Sequence, residues 1–142
     1  MTIRELVHAE SALAFAAMRA LRPHLADEDE LVRRVGEQRA EGYRLVAAVD
    51  DDGSVSAVAG FRVRNTLADG RILYVDDLST LPAARRRGYG RALLDWCAAE
   101  GRRLGCKELH LDSSVGADRQ DAHRLYFNAG MRVSAYHFER VL

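Results

Sequence analysis

Two hairpin turns in the middle of the chain constrain its fold more than any other feature of the sequence. The β-rich run Tyr43–Val49 ends in the turn signal Asp50–Gly53, and Val55–Val63 follows as the return strand. A second turn at Asn65–Gly70 leads into a third strand over Arg71–Leu78. Strands joined by such short turns pair antiparallel, so we predict an antiparallel sheet for this part of the chain.

Helices and strands alternate after the third strand. The pattern predicts a helix from about Gly88 to Leu104, with Leu93, Leu94 and Cys97 facing inward and Gly105 as its C-terminal cap. The elements predicted beyond it are a strand over Leu109–Ser113, a helix over Asp118–Asn128 that Gly130 stops, and a last strand over Met131–Val141.

One strand and two helices are predicted before the hairpins. Thr2–Val7 alternates weakly, as a short strand does. Ser11 is placed as the cap of a first helix, which Pro23 ends, and its predicted apolar face consists of Leu13, Ala17 and Leu21. Acidic residues from Asp27 to Glu30 suit the start of a second helix with an apolar stripe of Leu31, Val32 and Val35, closed by Gly42.

The predicted order is therefore βααβββαβαβ. Hairpins first and strand–helix alternation second indicate an α/β (α+β) protein with a mixed, mostly antiparallel sheet and helices on both faces. The length of 142 residues fits one domain, residues 1–142, around one core.

Composition narrows the function classes. Lys+Arg and Asp+Glu both total 21, and this neutral balance disfavours a nucleic-acid-binding module. We expect no membrane span, because no apolar run approaches the necessary length, and we see no signal peptide. The two cysteines, Cys97 and Cys106, form neither a disulfide framework nor a metal cluster, which indicates a reducing, cytoplasmic compartment.

The most informative stretch is a basic, glycine-containing turn between the third strand and the following helix. It contains Arg85, Arg86 and Arg87, followed by Gly88 and Gly90. The first N–H groups of a helix lack internal partners and carry partial positive charge, and glycine lets a phosphate approach the backbone. A solvated arginine loop is the simpler interpretation of such a turn taken alone, but its place at a helix start favours a pyrophosphate site.

Other phosphate motifs fit this turn poorly. The sequence has no G-x-x-x-x-G-K-[ST], so the turn is not a P-loop. Leu93 occupies the position at which a dinucleotide-binding fingerprint places its third small residue.

The pattern Arg85-x-x-Gly88-x-Gly90 resembles the cofactor loop of the GNAT superfamily of acyl-CoA-dependent N-acetyltransferases, Q/R-x-x-G-x-G/A. The segment Ala122–Met131 is similar to that family's A-x-x-L-Y-x-x-x-G-F/M, and Tyr74–Thr80 looks like its central strand. The order of elements also agrees. The resemblance covers nearly the whole chain and is strongest in its second half.

The resemblance implies acetyl-CoA as acyl donor and an amine-bearing acceptor. We expect no metal, because His110, His123 and His137 lack metal-ligand spacing. The pantetheine arm would lie where the strands Arg71–Leu78 and Leu109–Ser113 splay apart, along backbone groups of Leu78 and Thr80. The implied cofactor-binding residues are Leu78, Ser79, Thr80, Arg85, Arg86, Arg87, Gly88, Tyr89, Gly90, Arg91 and Ala92.

The resemblance also implies catalytic roles in a direct attack of the amine on the acetyl group through a tetrahedral intermediate. Tyr126 would protonate the departing thiolate, and the Leu78 N–H is our candidate donor to the oxyanion. Asp76 and Asp77 would point to opposite faces of a regular strand, and a bulge would reverse that parity. We favour Asp76 as the base, on the face of Tyr74 and Leu78, with Asp77 or water as alternatives.

The resemblance departs from the family pattern at Arg119, where many members have Asn. Its motifs leave the acceptor and the acyl-chain length open, and dimerisation is only a family-level expectation. The alternative function is a non-catalytic acyl-CoA-binding sensor or regulatory module on the same fold. That alternative would keep the Arg85–Gly90 loop but would need neither Tyr126 nor a base.

Overall fold

The computed structural model describes residues 1–142, which form two compact units, 1–111 and 112–142. The first unit contains a five-stranded sheet in the order β1-β2-β3-β4-β5. Neighbouring strands from β1 to β4 are antiparallel, whereas β4 and β5 are parallel. The strands are β1 Thr2–Leu6, β2 Arg44–Val49, β3 Val55–Thr66, β4 Gly70–Thr80 and β5 Glu108–Leu111. The predicted mixed, mostly antiparallel sheet is confirmed.

The two predicted hairpin turns connect β2 to β3 and β3 to β4. In the first, the Gly53 N–H donates to the Asp50 carbonyl at 2.9 Å, with Gly53 at φ 85°. This left-handed backbone conformation favours glycine. The second turn is shorter than predicted, because β3 continues to Thr66 and β4 already begins at Gly70.

The helices of the first unit are α1 Phe15–Leu21, α2 Glu28–Arg39 and α3 Tyr89–Arg103. Asp27 caps α2, since its side chain accepts the Glu30 N–H at 2.8 Å. Helix α3 and its buried residues Leu93, Leu94 and Cys97 are as predicted. Gly105, at φ 76°, follows α3 in the conformation expected of a C-terminal cap.

The prediction for the first helix was wrong in detail. A 3₁₀ helix over His8–Ala14 precedes α1, and Ser11 lies buried inside it, where its hydroxyl donates to the His8 carbonyl. Leu13 is exposed, and the face turned to the core consists instead of Ala14, Ala17 and Met18. The change from 3₁₀ to α geometry alters the number of residues per turn, so one α-helical period does not describe the whole segment.

The sheet of the first unit separates two hydrophobic clusters. Leu45 and Ala47 of β2 pack with side chains of α1 and α2, whereas Val46 and Ala48 pack with Leu93 and Cys97 of α3. Successive strand residues point to opposite faces, so a single strand serves both clusters. The predicted placement of helices on both faces is therefore confirmed.

The second unit contains a short 3₁₀ helix, Ala117–Arg119, and α4, Gln120–Asn128. Gly130, at φ 84°, follows α4 as predicted. The predicted last strand over Met131–Val141 was wrong, since this segment forms neither strand nor helix, and Tyr136 and Phe138 are exposed. Its alternating sequence is compatible with a strand, but β propensity takes effect only where a segment pairs and packs. None of the helices has the length and apolar character that crossing a membrane requires.

Gly60 of β3 is the position at which a small side chain should be most disruptive. A Cβ there would lie 1.7 Å from the Tyr43 hydroxyl oxygen, and Tyr43 is buried. We expect Gly60→Ala to lower the free energy of unfolding by about 1–3 kcal/mol, because the core must shift. The measurement is urea unfolding.

Gly101→Ala is the matched control for this prediction. Its new Cβ would meet nothing closer than 3.5 Å, and Gly101 lies in α3. Alanine is favoured over glycine in a helix by about 1 kcal/mol, so this variant should be as stable as the parent or more so. Equal stability of the Gly60→Ala variant and the parent would contradict the predicted clash.

Candidate active site

A β-bulge in β4 shapes the candidate site. Phe61 of β3 pairs with Val75, but Gly60 pairs with Asp77, so Asp76 is an extra residue without a partner on β3. An inserted residue shifts the alternation of the strand by one position. The side chains after the bulge therefore face the side opposite to the one that a regular strand would give them.

The bulge places Asp76 and Asp77 on the same face of the sheet. The carboxylate of Asp76 accepts from Arg62, and that of Asp77 accepts from Arg22 and Tyr43, all on the α1–α2 side. Opposite faces were predicted for a regular strand only, and the bulge, which was named as the exception, is present. The prediction that Asp76 shares a face with Leu78 was wrong. Leu78 packs with the cluster on the α3 side.

Both carboxylate oxygens of Asp77 have donors. Arg22 Nε lies 2.9 Å from Oδ1, and the Tyr43 hydroxyl lies 2.9 Å from Oδ2. Arg22 also donates at 3.0 Å to the backbone carbonyl of Asp76, the bulged residue. Burial, followed by the Asp77 carboxylate, raises the pKa of Tyr43 well above its usual range, so its hydroxyl remains a donor.

Asp76 has a different environment. Arg62 Nε and Nη2 lie 2.7 and 2.6 Å from the same oxygen, Oδ2. Arg62 also donates to Gln38 of α2 at 2.9 Å and lies over the Tyr43 ring. Burial raises the pKa of Asp76 above its usual range, although the hydrogen bond from Arg62 acts in the opposite direction.

Arg22, Tyr43 and Arg62 were not predicted as site residues from the sequence. Arg22 lies at the end of α1, 55 residues before Asp77 in the chain. No spacing of residues in the sequence predicts the contact between Arg22 and Asp77, because it is the packing of α1 on the sheet that brings them together.

Strands β4 and β5 pair over only a short stretch. Their parallel register runs from Ile72–Glu108 to Val75–Leu111 and ends directly before the bulge. Beyond it, the Leu81 N–H donates to Ser56 at the β3 side, at 2.9 Å. Because backbone groups alternate along a strand, those of Leu78 and Thr80 point away from β3, toward the side where the pairing with β5 has ended. Ser79, between them, is buried.

The predicted basic turn leads from the end of β4 to the start of α3. Arg85, Arg86 and Arg87 are exposed there, and both Arg86 and Gly88 have positive φ, 65° and 83°. The first turn of α3 contains no acidic residue, and no side chain caps it. A Cβ on Gly88 would meet nothing within 4 Å, so its backbone borders open space. This helix start is suited to an anion.

The four remaining residues of the predicted cofactor-binding set at this helix start differ in their exposure and in their contacts. The Tyr89 ring is buried, and its hydroxyl donates to Asp50. Gly90 and Ala92 are half-buried, and the Ala92 N–H is used within the helix by the Gly88 carbonyl at 3.0 Å. Arg91 pairs with Asp95 one turn later, at 3.0 Å.

Tyr126 belongs to a polar cluster within the second unit. Its hydroxyl interacts with Arg119 and Ser113, and His123 Nε2 lies 3.0 Å from the Ser113 hydroxyl. Burial raises the pKa of Tyr126 above its usual range, while Arg119 and Ser113 act in the opposite direction. The phenol therefore keeps its proton at neutral pH. Arg119, at which the sequence departs from the family pattern, is thus a neighbour of the predicted proton donor.

Comparison with known proteins agrees with the predicted family. The Acetyltransferase (GNAT) family matches residues 10–131. The uncharacterized N-acetyltransferase YhdJ of Bacillus subtilis (strain 168) is 32% identical over 132 residues, covering 92% of this chain and 91% of that protein. An aminoalkylphosphonate N-acetyltransferase of Salmonella typhimurium is 32% identical over 68 residues, 48% of this chain and 43% of that protein.

The fold is also found in solved structures. A ribosomal-protein-alanine N-acetyltransferase from Brucella melitensis biovar Abortus 2308 superposes with a TM-score of 0.85 over 100% of both chains, at 17% identity. Fold and sequence together define an α/β acyltransferase. The chain belongs to the GNAT family of acetyltransferases.

The Tyr43–Asp77 hydrogen bond should contribute to stability. Tyr43→Phe keeps the buried ring but leaves one oxygen of a largely buried carboxylate without its donor. We expect the free energy of unfolding to fall by about 2 kcal/mol, as is usual for a hydrogen bond to a charged group. Tyr136→Phe, at an exposed position, is the control and should change nothing. If both variants unfold at the same urea concentration as the parent, this bond contributes no stability.

Proposed function

We propose that the chain transfers an acetyl group from acetyl-CoA to an amine. The observation that carries the proposal is the arrangement of β4, which leaves β5 after Val75 and leads through the basic turn to the start of α3. Along this path, backbone groups directed away from β3 come first and an anion-binding helix start comes second. The order of these two features along the chain matches the order of the pantetheine arm and the diphosphate in the donor.

The residues at the helix start fit the diphosphate of the donor. Exposed guanidinium groups at Arg85, Arg86 and Arg87 supply charge-assisted donors, and Gly88 leaves its backbone accessible. The donor, when bound, supplies an acetyl group activated as a thioester. Leu78 is our candidate to donate its backbone N–H to the oxyanion of the tetrahedral intermediate.

The acceptor must lose a proton before it can attack. An amine with the pKa of a lysine side chain is unprotonated in only about one molecule in 2,500 at pH 7. We propose Asp76 as the base, acting directly or through water. Both Arg62 contacts meet its Oδ2, which leaves Oδ1 for a proton, whereas both oxygens of Asp77 accept from protein donors. The pKa of Asp76 is raised, and it therefore lies closer to the pKa of the ammonium group whose proton Asp76 would accept.

Tyr126 is the proposed proton donor to the departing thiolate. Its place in the motif Ala122–Met131 supports this role, and so does a phenol that stays protonated at neutral pH. The ring is half-buried and its hydroxyl lies among polar groups, as is usual for a tyrosine.

Cofactor binding can be tested before an acceptor is known. Acetyl-CoA at about 100 times its dissociation constant should stabilise the fold by about 2.7 kcal/mol, measured as a shift in Tm. Gly90→Val should weaken binding by obstructing the backbone, and Arg86→Ala should weaken it most at low salt. No shift at millimolar acetyl-CoA would refute the proposal, and unchanged affinity in both variants would place the phosphates elsewhere.

The two aspartates can be separated by charge removal, once a screen of amines for thiol release from acetyl-CoA has identified an acceptor. Asp76→Asn should lower kcat by about 10²- to 10⁴-fold, the usual value of acid–base catalysis. Asp77→Asn should lower kcat less, and acetyl-CoA affinity should persist in both variants. The reverse order would make Asp77 the base, and full activity in both would exclude either residue from that role.

Tyr126→Phe removes only the hydroxyl of the proposed acid. We expect kcat to fall by about 10²- to 10⁴-fold while acetyl-CoA affinity and Tm stay close to those of the parent. Tyr136→Phe, at an exposed site, serves as the control. A folded Tyr126→Phe variant with normal kcat would show that thiolate departure needs no help from this hydroxyl. If the parent protein binds acetyl-CoA but releases no thiol with any amine of the screen, the result would favour the sensor alternative.

A further inference from the structure

Tyr89, the first residue of α3, is attached to a distant hairpin. Its ring belongs to the hydrophobic cluster on the α3 side and is 8% exposed. Its hydroxyl donates to Asp50 Oδ1 at 2.6 Å. Asp50 directly follows β2, in the turn that leads to β3. The residue between the two glycines of the basic turn therefore points into the protein instead of toward a ligand.

The same hairpin also holds the other end of the basic turn. Ser56 is an extra residue in β3, because Ala57 pairs with Ala48 while Val55 pairs with Val49. The Ser56 hydroxyl donates to Asp50 Oδ2, and its backbone carbonyl accepts the Leu81 N–H at 2.9 Å. Asp50 and Ser56 thus fix Leu81 at one end of the turn and Tyr89 at the other.

The segment between these two attachments has a costly backbone conformation. Arg86 is the one non-glycine residue with positive φ, at 65°, and Gly88 follows at 83°. A left-handed conformation is unfavourable for an ordinary residue, and it persists only where the surrounding structure enforces it. The hydrogen bonds of Leu81 and Tyr89 to the hairpin enforce this conformation from both ends of the turn.

We infer that Tyr89 and Asp50 are positioning residues that hold the Arg85–Gly90 turn in the conformation that binds the donor's diphosphate. This inference rests on the proposed function. According to it, the Tyr89 side chain supports the turn from the protein interior and does not contact the donor. Asp50, 35 residues before Arg85, joins the residues that determine donor affinity.

The hydrogen bond between the two side chains is the part that a substitution can remove without disturbing the core. Tyr89→Phe keeps the buried ring and removes the hydroxyl that donates to Asp50. Asp50→Ala removes the acceptor of both the Tyr89 and the Ser56 hydroxyls. Ser54→Ala lies in the same turn and is the matched control, since the Ser54 hydroxyl bonds only to Asp52.

The experiment compares CoA with pantetheine, which lacks the diphosphate and the nucleotide, by titration of each variant. We expect Tyr89→Phe to raise the Kd for CoA about tenfold, because without this hydrogen bond the turn would adopt the binding conformation in only about one molecule in ten. The Kd for pantetheine should stay unchanged. Ser54→Ala should bind both ligands as the parent does. In the Tyr89→Phe, Asp50→Ala double variant the loss should be no greater than in Asp50→Ala, because the two residues form one unit.

Three results overturn the inference. One is an unchanged Kd for CoA in Tyr89→Phe. Another is an equal loss of affinity for CoA and pantetheine, which would indicate a general structural role. A third is additive losses in the double variant. If Asp50→Ala does not fold, Tyr89→Phe alone decides. Failure of the parent to bind CoA would instead refute the proposed function, so the two failures are distinguishable.

Discussion

The extra residue in β4 is the constraint on which the candidate site depends. The register with β3 changes between Val75 and Asp77, directly after the last residue of β4 that pairs with β5. A bulge bends its strand and increases the local twist, which is how a sheet can open between two parallel strands. One inserted residue therefore accounts both for the parting of β4 from β5 and for the shared face of Asp76 and Asp77.

The bulge needs compensation, and its neighbours provide it. The backbone carbonyl of Asp76 accepts from Arg22, so this polar group is not left without a partner. Opposite the bulge, Gly60 has no side chain, and the Tyr43 hydroxyl that donates to Asp77 occupies the space where a Cβ would lie. Arg22, Tyr43 and Gly60 come from three separate parts of the chain, and the geometry of the bulge in β4 explains the contacts of each.

Local features of the sequence predicted local features of the structure. Helix α3, its buried residues and the basic turn before it follow from consecutive residues, so the proposed phosphate site could be derived without tertiary information. The parity of the aspartates could not, because the bulge depends on how β3 and β4 pair and on a tyrosine more than 30 residues away. Met131–Val141 has the alternation of a strand, but pairing, which no local pattern supplies, decides whether a strand forms.

The two acids are both paired with arginine, yet the pairs differ in a way that matters for the proposed reaction. Buried charges must be paired, so neither carboxylate could remain beside the other without its partner. Arg62 is held by Gln38 and the Tyr43 ring, and its side chain is 21% exposed. Arg22 lies at the end of α1 with 42% exposure, so an incoming ammonium group can compete with it for Asp77 more readily than with Arg62 for Asp76. Under the proposed function, Asp77 is then suited to bind the charged amine, while Asp76, with its raised pKa and one oxygen left by Arg62, is suited to remove the proton.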